Sequence, residues 1–279
     1  MNIKKLLSLG LVSLVTVGLL VGCSGGKTSE TSGSGDTKKI TVGATAAPHA
    51  EFLNGFAKEK LAEKGITLEV KEFTDYPTLN IALADKQLDA NYFQHKPYLD
   101  NFNKENNTNL VSIGNIHAEP LAAYSKTIKS ASEIKDGATI AIPNDNSNGA
   151  RALKLLQKQG LIKLKSGNDD ANLTEKDIAE NPKNLKVKAV EAASLPRVLD
   201  EVDVAIINGN YALEAKLDTN STLFAEEVAD IEKHVNIVAA REDNKDDANL
   251  KELVSVLTSD DAKAWLKNKY GSAVLPANK

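Results

Sequence analysis

Cysteine, basic charge and long apolar runs are all scarce in this sequence. Cys23 is the single cysteine among 279 residues, so the chain cannot form an intramolecular disulfide. Its 34 Lys and Arg against 38 Asp and Glu give a net charge of −4. A mildly acidic chain lacks the basic stripe that nucleic-acid binding needs. The long apolar run, from Leu6 to Val21, is too short to span a bilayer comfortably. These shortages exclude a disulfide-stabilised domain and argue against a nucleic-acid partner.

The N-terminal segment is typical of an export signal. Lys4 and Lys5 precede the apolar run, which ends in Gly22 directly before Cys23. This ending resembles a bacterial lipobox and implies cleavage before Cys23 and lipid attachment to its sulfur. The alternative is an uncleaved membrane anchor with an incidental cysteine. We therefore predict a signal peptide over residues 1–22 and a protein held by lipid on the outer, extracytoplasmic face of the cell membrane.

The expected mature chain, residues 23–279, has no thiol left for nucleophilic catalysis or metal binding. Its start is rich in Gly and Ser and has no apolar residue (SGGKTSETSGSGDTKK), so residues 23–38 are predicted to be a flexible, lipid-anchored tether. The rest is long enough for one large or two medium α/β domains.

Strand-like and helical segments alternate after the tether, which favours βαβ units and a mainly parallel sheet. The series restarts near residue 138 and predicts two lobes that face each other. Lobe 1 is expected to comprise residues 39–122 and 235–279, and lobe 2 residues 123–234. The predicted strands are 40–44, 66–73, 88–93, 138–142, 185–190, 202–207 and a return strand at 235–239; the predicted helices are 50–64, 76–86, 98–104, 149–159, 195–201 and 248–268.

Ligands of open α/β sheets bind beyond the carboxyl ends of the strands, where this sequence places unusual polar loops. In IPNDNSNGAR, the helix is predicted to begin at Asn148 or Gly149, with Arg151 in its first turn. A cation is unfavourable there because the helix N-terminus is already partly positive. A bound carboxylate would resolve the conflict, with Arg151 holding it bidentately. The alternative is that Arg151 pairs with a nearby Asp or faces solvent.

Two further groups of side chains complete the predicted cleft. Neutral amides at predicted strand ends can bind an α-amino or α-carboxylate group: Asn208, Asn210 and Asn236. An aromatic wall suits a flat apolar group or a thioether: Tyr76, Phe93, His95 and Tyr98.

The sequence favours neither an enzyme nor a metal receptor. It has no G-x-S-x-G or H-E-x-x-H motif and no available cysteine. A lipid-anchored metal receptor could still assemble His95, His117 and His234 from separate loops. That arrangement would leave Arg151 and the asparagines without a role, and a cation would be repelled by the guanidinium. An adhesion or scaffold role is a third alternative.

Several motifs resemble the NlpA/MetQ family, the methionine-binding lipoproteins that serve ABC importers. They are DANYFQHKPYL, AIPND with Asn148 and Arg151 following, ENPKNLK, INGNYA, VNIVAAREDNKD and GSAVLP, and they extend the resemblance to the C-terminus.

The resemblance implies a two-lobed, periplasmic-binding-protein-like α/β clamshell. It would close on free L-methionine and deliver it to a membrane permease driven by an ATPase, without a cofactor or metal. Arg151 would bind the α-carboxylate; Asn148, Asn208 and Asn236 would complete the polar contacts; and Tyr76, Phe93, His95 and Tyr98 would line the side-chain pocket. Asn210 is set aside because the family position corresponds to Asn208. Pro77, directly after Tyr76, departs from the family pattern. D-methionine, a Gly-Met-type dipeptide or another small amino acid remain alternatives.

Overall fold

The computed structural model describes residues 38–166 and 172–277. The predicted signal peptide, the lipid-attachment residue Cys23 and nearly all of the predicted tether lie outside these residues. Within the described residues, no helix combines the length and apolar character that crossing a membrane requires.

Thirteen strands form in the described part of the chain. Their bounds are β1 Lys38–Thr45, β2 Ile66–Phe73, β3 Ala90–His95, β4 Val111–Ala118, β5 Ala122–Tyr124, β6 Thr139–Pro143, β7 Lys163–Leu164, β8 Ile178–Glu180, β9 Lys186–Val190, β10 Val204–Ile207, β11 Phe224–Ala225, β12 Asn236–Ala240 and β13 Leu275–Pro276.

Eight α-helices lie between or after these strands. They are α1 Lys58–Ala62, α2 Tyr76–Ala84, α3 Lys96–Asn106, α4 Asn146–Lys158, α5 Gly209–Glu214, α6 Val228–Ile231, α7 Ala248–Leu257 and α8 Asp260–Tyr270. Two π-helical segments precede α1, at Ala46–Ala50 and Leu53–Ala57, and short 3₁₀ turns include Arg197–Asp200, Glu232–His234 and Gly271–Ala273.

The strands form two main sheets, which confirms the predicted two-lobed α/β architecture. The first has the order β13-β4-β12-β3-β1-β2 and the second β11-β5-β10-β6-β9. The predicted mainly parallel character holds for only part of each sheet. β2-β1-β3 and β10-β6-β9 are parallel, whereas β12, β4 and β13 in the first sheet and β5 and β11 in the second pair antiparallel to their neighbours.

The chain passes between the two sheets through two segments that we call the crossovers. The first crossover is residues 119–121, between β4 and β5, and the second is residues 226–235, between β11 and β12. Just before the second crossover, β11 pairs with β5, so the two crossovers leave the second sheet side by side.

Burial explains which strands are central. β3 and β12 are buried at every position and pair with each other. β2 is an edge strand, and it alternates between buried and exposed residues over its first half. Buried side chains from both sheets also pack in one cluster, which includes Leu79, Tyr76, Ala205 and Ala239.

One helix prediction needed correction, and two strands were not predicted. The single helix predicted over 248–268 is broken after Leu257, because Ser259 starts a new helix by accepting the N–H of Ala262 (3.2 Å). Asp260 and Asp261 then lie in the favourable first turn of α8. β4 and β5 were not predicted, because the short apolar stretches of NIHAEPLAAY are interrupted by polar residues.

Candidate functional site

One cavity between the two sheets is lined by all eight predicted binding residues. The space inside it that is open to the centre of a water molecule is small, about 20 Å³. The predicted residues are Tyr76, Phe93, His95, Tyr98, Asn148, Arg151, Asn208 and Asn236, and the lining also includes Gln94, Glu119, Gly209 and Asn210. Residues that are far apart in sequence therefore meet at one place.

His95 ends β3 and caps the next helix. Its Nδ1 accepts the backbone N–H of Tyr98 (3.3 Å), so α3 begins at Lys96, two residues before the prediction. An accepting Nδ1 leaves the ring proton on Nε2, which donates to Asn148 Oδ1 (3.0 Å). Burial, Arg151 and His234 lower the pKa of His95 well below its usual value, so the ring is neutral. His95 is thus a fixed wall of the cavity with both nitrogens hydrogen-bonded.

Helix α4 begins earlier than predicted, and this changes the position of Arg151. Asp145 is the N-cap and accepts the backbone N–H of Asn148 (2.8 Å), so the helix starts at Asn146. Arg151 is the sixth residue of the helix and not part of its first turn. Gly149 lies close to the preceding strand, because a Cβ there would be 3.0 Å from the carbonyl oxygen of Pro143.

Asn148 joins the polar side chains of the cavity. Its Nδ2 donates to the Asp145 carboxylate, which leaves Oδ1 as an acceptor. That oxygen accepts from His95 Nε2 (3.0 Å), Arg151 Nη1 (3.1 Å) and Asn208 Nδ2 (3.0 Å). The Asn148 amide thus connects His95, at the end of β3 in the first sheet, to Arg151 in α4 and Asn208 after β10 of the second sheet.

Arg151 is buried and already has a carboxylate partner, Glu226. Nε donates to Oε1 (3.0 Å) and Nη2 to Oε2 (2.5 Å), while Nη2 also donates to the backbone oxygen of Glu119 (3.3 Å). Both side chains of the ion pair are about 5–6 % exposed. The predicted bidentate grip on a ligand carboxylate cannot use the guanidinium edge formed by Nε and Nη2, because Glu226 occupies it. Nη1 is the nitrogen that can reach a ligand from its contact with Asn148.

The aromatic wall forms as predicted and has one additional member. The ring centroids of Tyr76, Phe93 and Tyr98 lie 5.4–5.9 Å apart. Tyr211, at 4.9 Å from Tyr76, packs behind them. Pro77 lies in the first turn of α2, where proline is well tolerated, and Tyr76 lines the cavity.

Glu119 brings a second buried carboxyl group to the cavity, which sequence reasoning missed. Its Oε1 accepts from His117 Nε2 (2.6 Å) and lies 3.4 Å from His49 Nε2. Burial raises the pKa of Glu119 to about 7, although His49 and Arg151 favour its ionised form. Burial also lowers the pKa of His49 to about 4 and that of His117 to about 3, so both rings are neutral.

The outer nitrogens of these two histidines are also hydrogen-bonded. Thr45 Oγ1 lies 2.8 Å from His49 Nδ1, and the hydroxyl of Tyr92 contacts His117 Nδ1. If both hydroxyls donate, each ring carries its proton on Nε2, directed at Glu119. His49 Nε2 also contacts Asn236 Oδ1 (3.2 Å), which connects a predicted binding residue to this cluster.

His49, His117 and Glu119 are also the described residues that could hold a metal ion, with ligand atoms within 4.8 Å of one another. The metal set considered from sequence, His95, His117 and His234, does not come together. The rings of His95 and His234 meet edge to face with centroids 5.0 Å apart, whereas His117 lies beside His49. The 2.6 Å separation of His117 Nε2 and Glu119 Oε1 is that of a hydrogen bond. Two ligands of one zinc ion, each about 2.0–2.1 Å from it in a tetrahedral site, lie more than 3 Å apart. The arrangement therefore fits N–H groups donating to a carboxylate better than a metal site.

Two buried amide atoms facing the cavity region have no hydrogen-bond partner among the described residues. They are Asn208 Oδ1, an acceptor, and Asn210 Nδ2, a donor. Asn210, which was set aside on the family resemblance, lines the cavity and accepts the hydroxyl proton of Tyr76 (2.5 Å). Unpaired buried polar atoms are costly, and they suit a ligand that carries both a donor and an acceptor.

A local signal for the missed residues exists in the sequence. Glu119 is a charged residue within the otherwise weakly polar HAEPLAAY, and Gly209 lies between Asn208 and Asn210 in INGNYA. A Cβ on Gly209 would lie 2.7 Å from Glu119 Cβ and 2.8 Å from its Oε2, so the glycine is required by the close approach of Glu119.

Several proteins of similar sequence are named as methionine-binding lipoproteins. The chain is 41% identical to "Methionine-binding lipoprotein MetQ" of Bacillus subtilis over 277 residues, which covers 98% of this chain and 99% of that protein. It is 42% identical to "Probable D-methionine-binding lipoprotein MetQ" of Pasteurella multocida over 280 residues, with 98% and 99% coverage.

A solved structure supports the same relationship. A nutrient-binding protein from Burkholderia cenocepacia, described as bound to methionine, superposes with a TM-score of 0.81 and 41% identity, covering 86% of this chain and all of that chain. The profile of the NlpA lipoprotein family matches residues 40–278. Because that match spans most of the sequence, the chain belongs to the NlpA lipoprotein family, a family of substrate-binding lipoproteins and not of enzymes.

Proposed function

We propose that this protein captures L-methionine between its two lobes and delivers it to an ABC permease driven by an ATPase. The observation that carries the proposal is the division of one cavity into a polar end and an aromatic end. The polar end offers Glu119 and Asn208 Oδ1 as acceptors, and Arg151 and Asn210 Nδ2 as donors. A free amino acid carries a cationic amino group and an anionic carboxylate on one carbon, which matches this mixed set.

In the proposed complex, the α-carboxylate contacts Arg151 Nη1 and the amide of Asn210. The α-ammonium contacts Glu119 and the oxygen of Asn208. Asn148 and Asn236 keep these groups in place through their bonds to His95 and His49. An ammonium next to Glu119 favours its ionised form, which offsets the desolvation that raises its pKa.

The aromatic end accommodates the side chain of the ligand. Tyr76, Phe93 and Tyr98 meet edge to face or tilted, and His95 forms the adjoining wall. A thioether packs favourably against ring edges, by about 0.3–1.5 kcal/mol, so methionine is preferred to an aliphatic side chain of the same length. The names of the relatives support methionine and include both "methionine" and "D-methionine".

The two lobes that would close on the ligand are residues 39–122 with 235–279 and residues 123–234. Each is built around one of the two sheets. Lipid on Cys23 would anchor the protein to the outer face of the cell membrane, near its permease. The names "Membrane lipoprotein" and "Outer membrane lipoprotein" of relatives support attachment to a membrane.

Calorimetry tests the ligand directly. The full chain, freed of bound ligand by unfolding and refolding, is titrated in detergent with L-methionine, D-methionine, Gly-Met and norleucine. We expect L-methionine to bind most tightly, with norleucine weaker because it lacks the sulfur. Tighter binding of D-methionine or Gly-Met would reassign the ligand, and binding of Zn²⁺ without any amino acid would replace the proposal by a metal receptor.

A further inference from the structure

Glu226 lies at the start of the second crossover and does not line the ligand cavity. Its side chain is 6 % exposed and makes contacts on two sides. On one side it receives two hydrogen bonds from Arg151. On the other, Oε2 accepts the backbone N–H of Leu121 in the first crossover (2.9 Å). One carboxylate therefore touches the guanidinium of the cavity and both segments that join the sheets.

The backbones of the two crossovers are held together at the same point. Glu226 N donates to Leu121 O (3.0 Å), which continues the antiparallel ladder that pairs Ala225 with Ala122. Glu226 thus binds Leu121 twice. Its side chain accepts the Leu121 N–H, and its backbone N–H donates to the Leu121 carbonyl oxygen. Movement of one sheet relative to the other has to bend this paired segment, since both connections run through it.

Arg151 is attached to the first crossover a second time. Its Nη2 donates to the backbone oxygen of Glu119, two residues before Leu121. Nε and Nη2 therefore face the crossovers, while Nη1 faces the cavity through Asn148. The guanidinium is a rigid plane, so a force on its cavity edge is transmitted to the opposite edge.

We propose that Glu226 is a positioning residue that couples binding of the ligand carboxylate at Arg151 to the conformation of the two crossovers. The inference rests on the proposed function, because it requires an anionic group at Arg151 and movement of the lobes. A carboxylate at Nη1 fixes the guanidinium plane. Through Glu226 the fixed plane holds the crossovers in the closed arrangement, so ligand binding and lobe closure stabilise each other.

The test compares Glu226→Gln with its neighbour Glu227→Gln in the full chain in detergent. Glutamine keeps the size and one acceptor but loses the charge shared with Arg151. Glu227 is a matched control, because its side chain is 73 % exposed and contacts Lys158 and the N-terminus of α6, away from Arg151. Calorimetry gives the affinity for L-methionine. Hydrogen–deuterium exchange of peptides covering residues 119–124 and 224–228 reports on the crossovers, with and without saturating ligand.

We expect methionine to slow exchange in both peptides of the unaltered protein and of Glu227→Gln. Glu226→Gln should bind at least about tenfold more weakly and, even at saturation, should show little ligand-dependent protection of the crossovers. Peptides from β3 should still be protected by ligand, which distinguishes lost coupling from lost folding. If Glu226→Gln folds poorly, Glu226→Asp, which retains the charge on a shorter side chain, is compared in the same way and should show intermediate protection.

Full protection of the crossovers in Glu226→Gln at saturation would overturn the inference while leaving methionine binding intact. Loss of affinity with unchanged protection would also overturn it, since Glu226 would then act only on the local pose of Arg151. Failure of the unaltered protein to bind any amino acid would instead refute the proposed function.

Discussion

Two buried polar clusters lie at the cavity, Arg151 with Glu226 and His49 and His117 with Glu119, and they differ in how their charges are compensated. Arg151 and Glu226 form an ion pair in which each charge is compensated by the other. His49, His117 and Glu119 form a hydrogen-bonded group in which burial favours neutral histidines and a carboxyl group with a pKa of about 7. The first cluster is an ion pair, whereas the charge of the second depends on pH. If the proposed function is correct, Arg151 holds a fixed charge in the site, whereas the charge of Glu119 responds to the ligand.

The largest expected effect comes from breaking the ion pair. Arg151→Ala leaves Glu226 buried without its partner and should lower the free energy of unfolding by about 3–5 kcal/mol, together with loss of detectable methionine binding. Urea unfolding without ligand and calorimetry measure the two effects. Arg197→Ala removes an exposed arginine that contacts Ser194, and it should change neither quantity noticeably. An equally stable Arg151→Ala protein would show that the pair contributes little to the fold.

Acid should destabilise the protein through the second cluster. The folded-state pKa values of His49 and His117 lie near 4 and 3, below the unfolded value of about 6.5. The unfolded chain therefore binds more protons below pH 6.5, and the stability held above that pH is lost as pH falls toward 4. Glu119 acts in the opposite direction, because its raised pKa destabilises the folded state above pH 7, and this destabilisation is relieved as pH falls below 7.

Two histidines lose stability in this range and one carboxyl group gains it. We therefore expect the free energy of unfolding to fall by about 1–3 kcal/mol between pH 6.5 and pH 4.5. Urea unfolding at a series of pH values without ligand measures it. The slope should decrease in His117→Gln, which keeps a donor for Glu119 but does not titrate. A flat profile over this range would mean that the histidines are not neutral in the folded protein.

Glu119→Gln removes the pH-dependent charge from the cavity. Methionine affinity should fall about 10–100-fold at pH 8, because the ammonium loses its ionic partner, while stability changes little. In the unaltered protein, affinity should weaken below pH 7 by up to about tenfold per pH unit, since ligand binding then has to release the proton of Glu119. The variant should lose this dependence. Calorimetry between pH 6 and pH 8 tests both statements, and an identical pH profile in the variant would assign the dependence to another group.

The smallest expected effect concerns the contact between the aromatic wall and the polar end. Tyr76→Phe removes the hydrogen bond to Asn210 Oδ1 (2.5 Å) but keeps the ring. Affinity should fall by about 2–10-fold, the range of a single neutral hydrogen bond. Tyr270→Phe, whose hydroxyl bonds exposed Glu51 at a distance from the cavity, is the control. A larger loss for Tyr76→Phe would show that this bond also contributes to holding the lobes together.

The predictable part of the site consists of residues at the ends of predicted strands. Phe93 and His95 lie at the end of β3, Asn208 follows β10, and Asn236 begins β12. Each could be predicted because it is a polar or aromatic residue next to an apolar run. The start of α4 was predicted less accurately. Several asparagines and Ser147 compete there as N-caps, and only the structure shows that Asp145 is the cap and that Asn148 is needed in the cavity.

The sequence by itself determined the alternation of strands and helices, the two lobes and the family, because periodicity and short motifs are local properties of the chain. Only the tertiary structure decided how the charges of the site are paired. Arg151 and Glu226 are 75 positions apart, and Arg151 and Glu119 are 32 apart. No local pattern records which buried carboxylate meets a buried arginine, since that choice follows from how the two sheets and their crossovers come together.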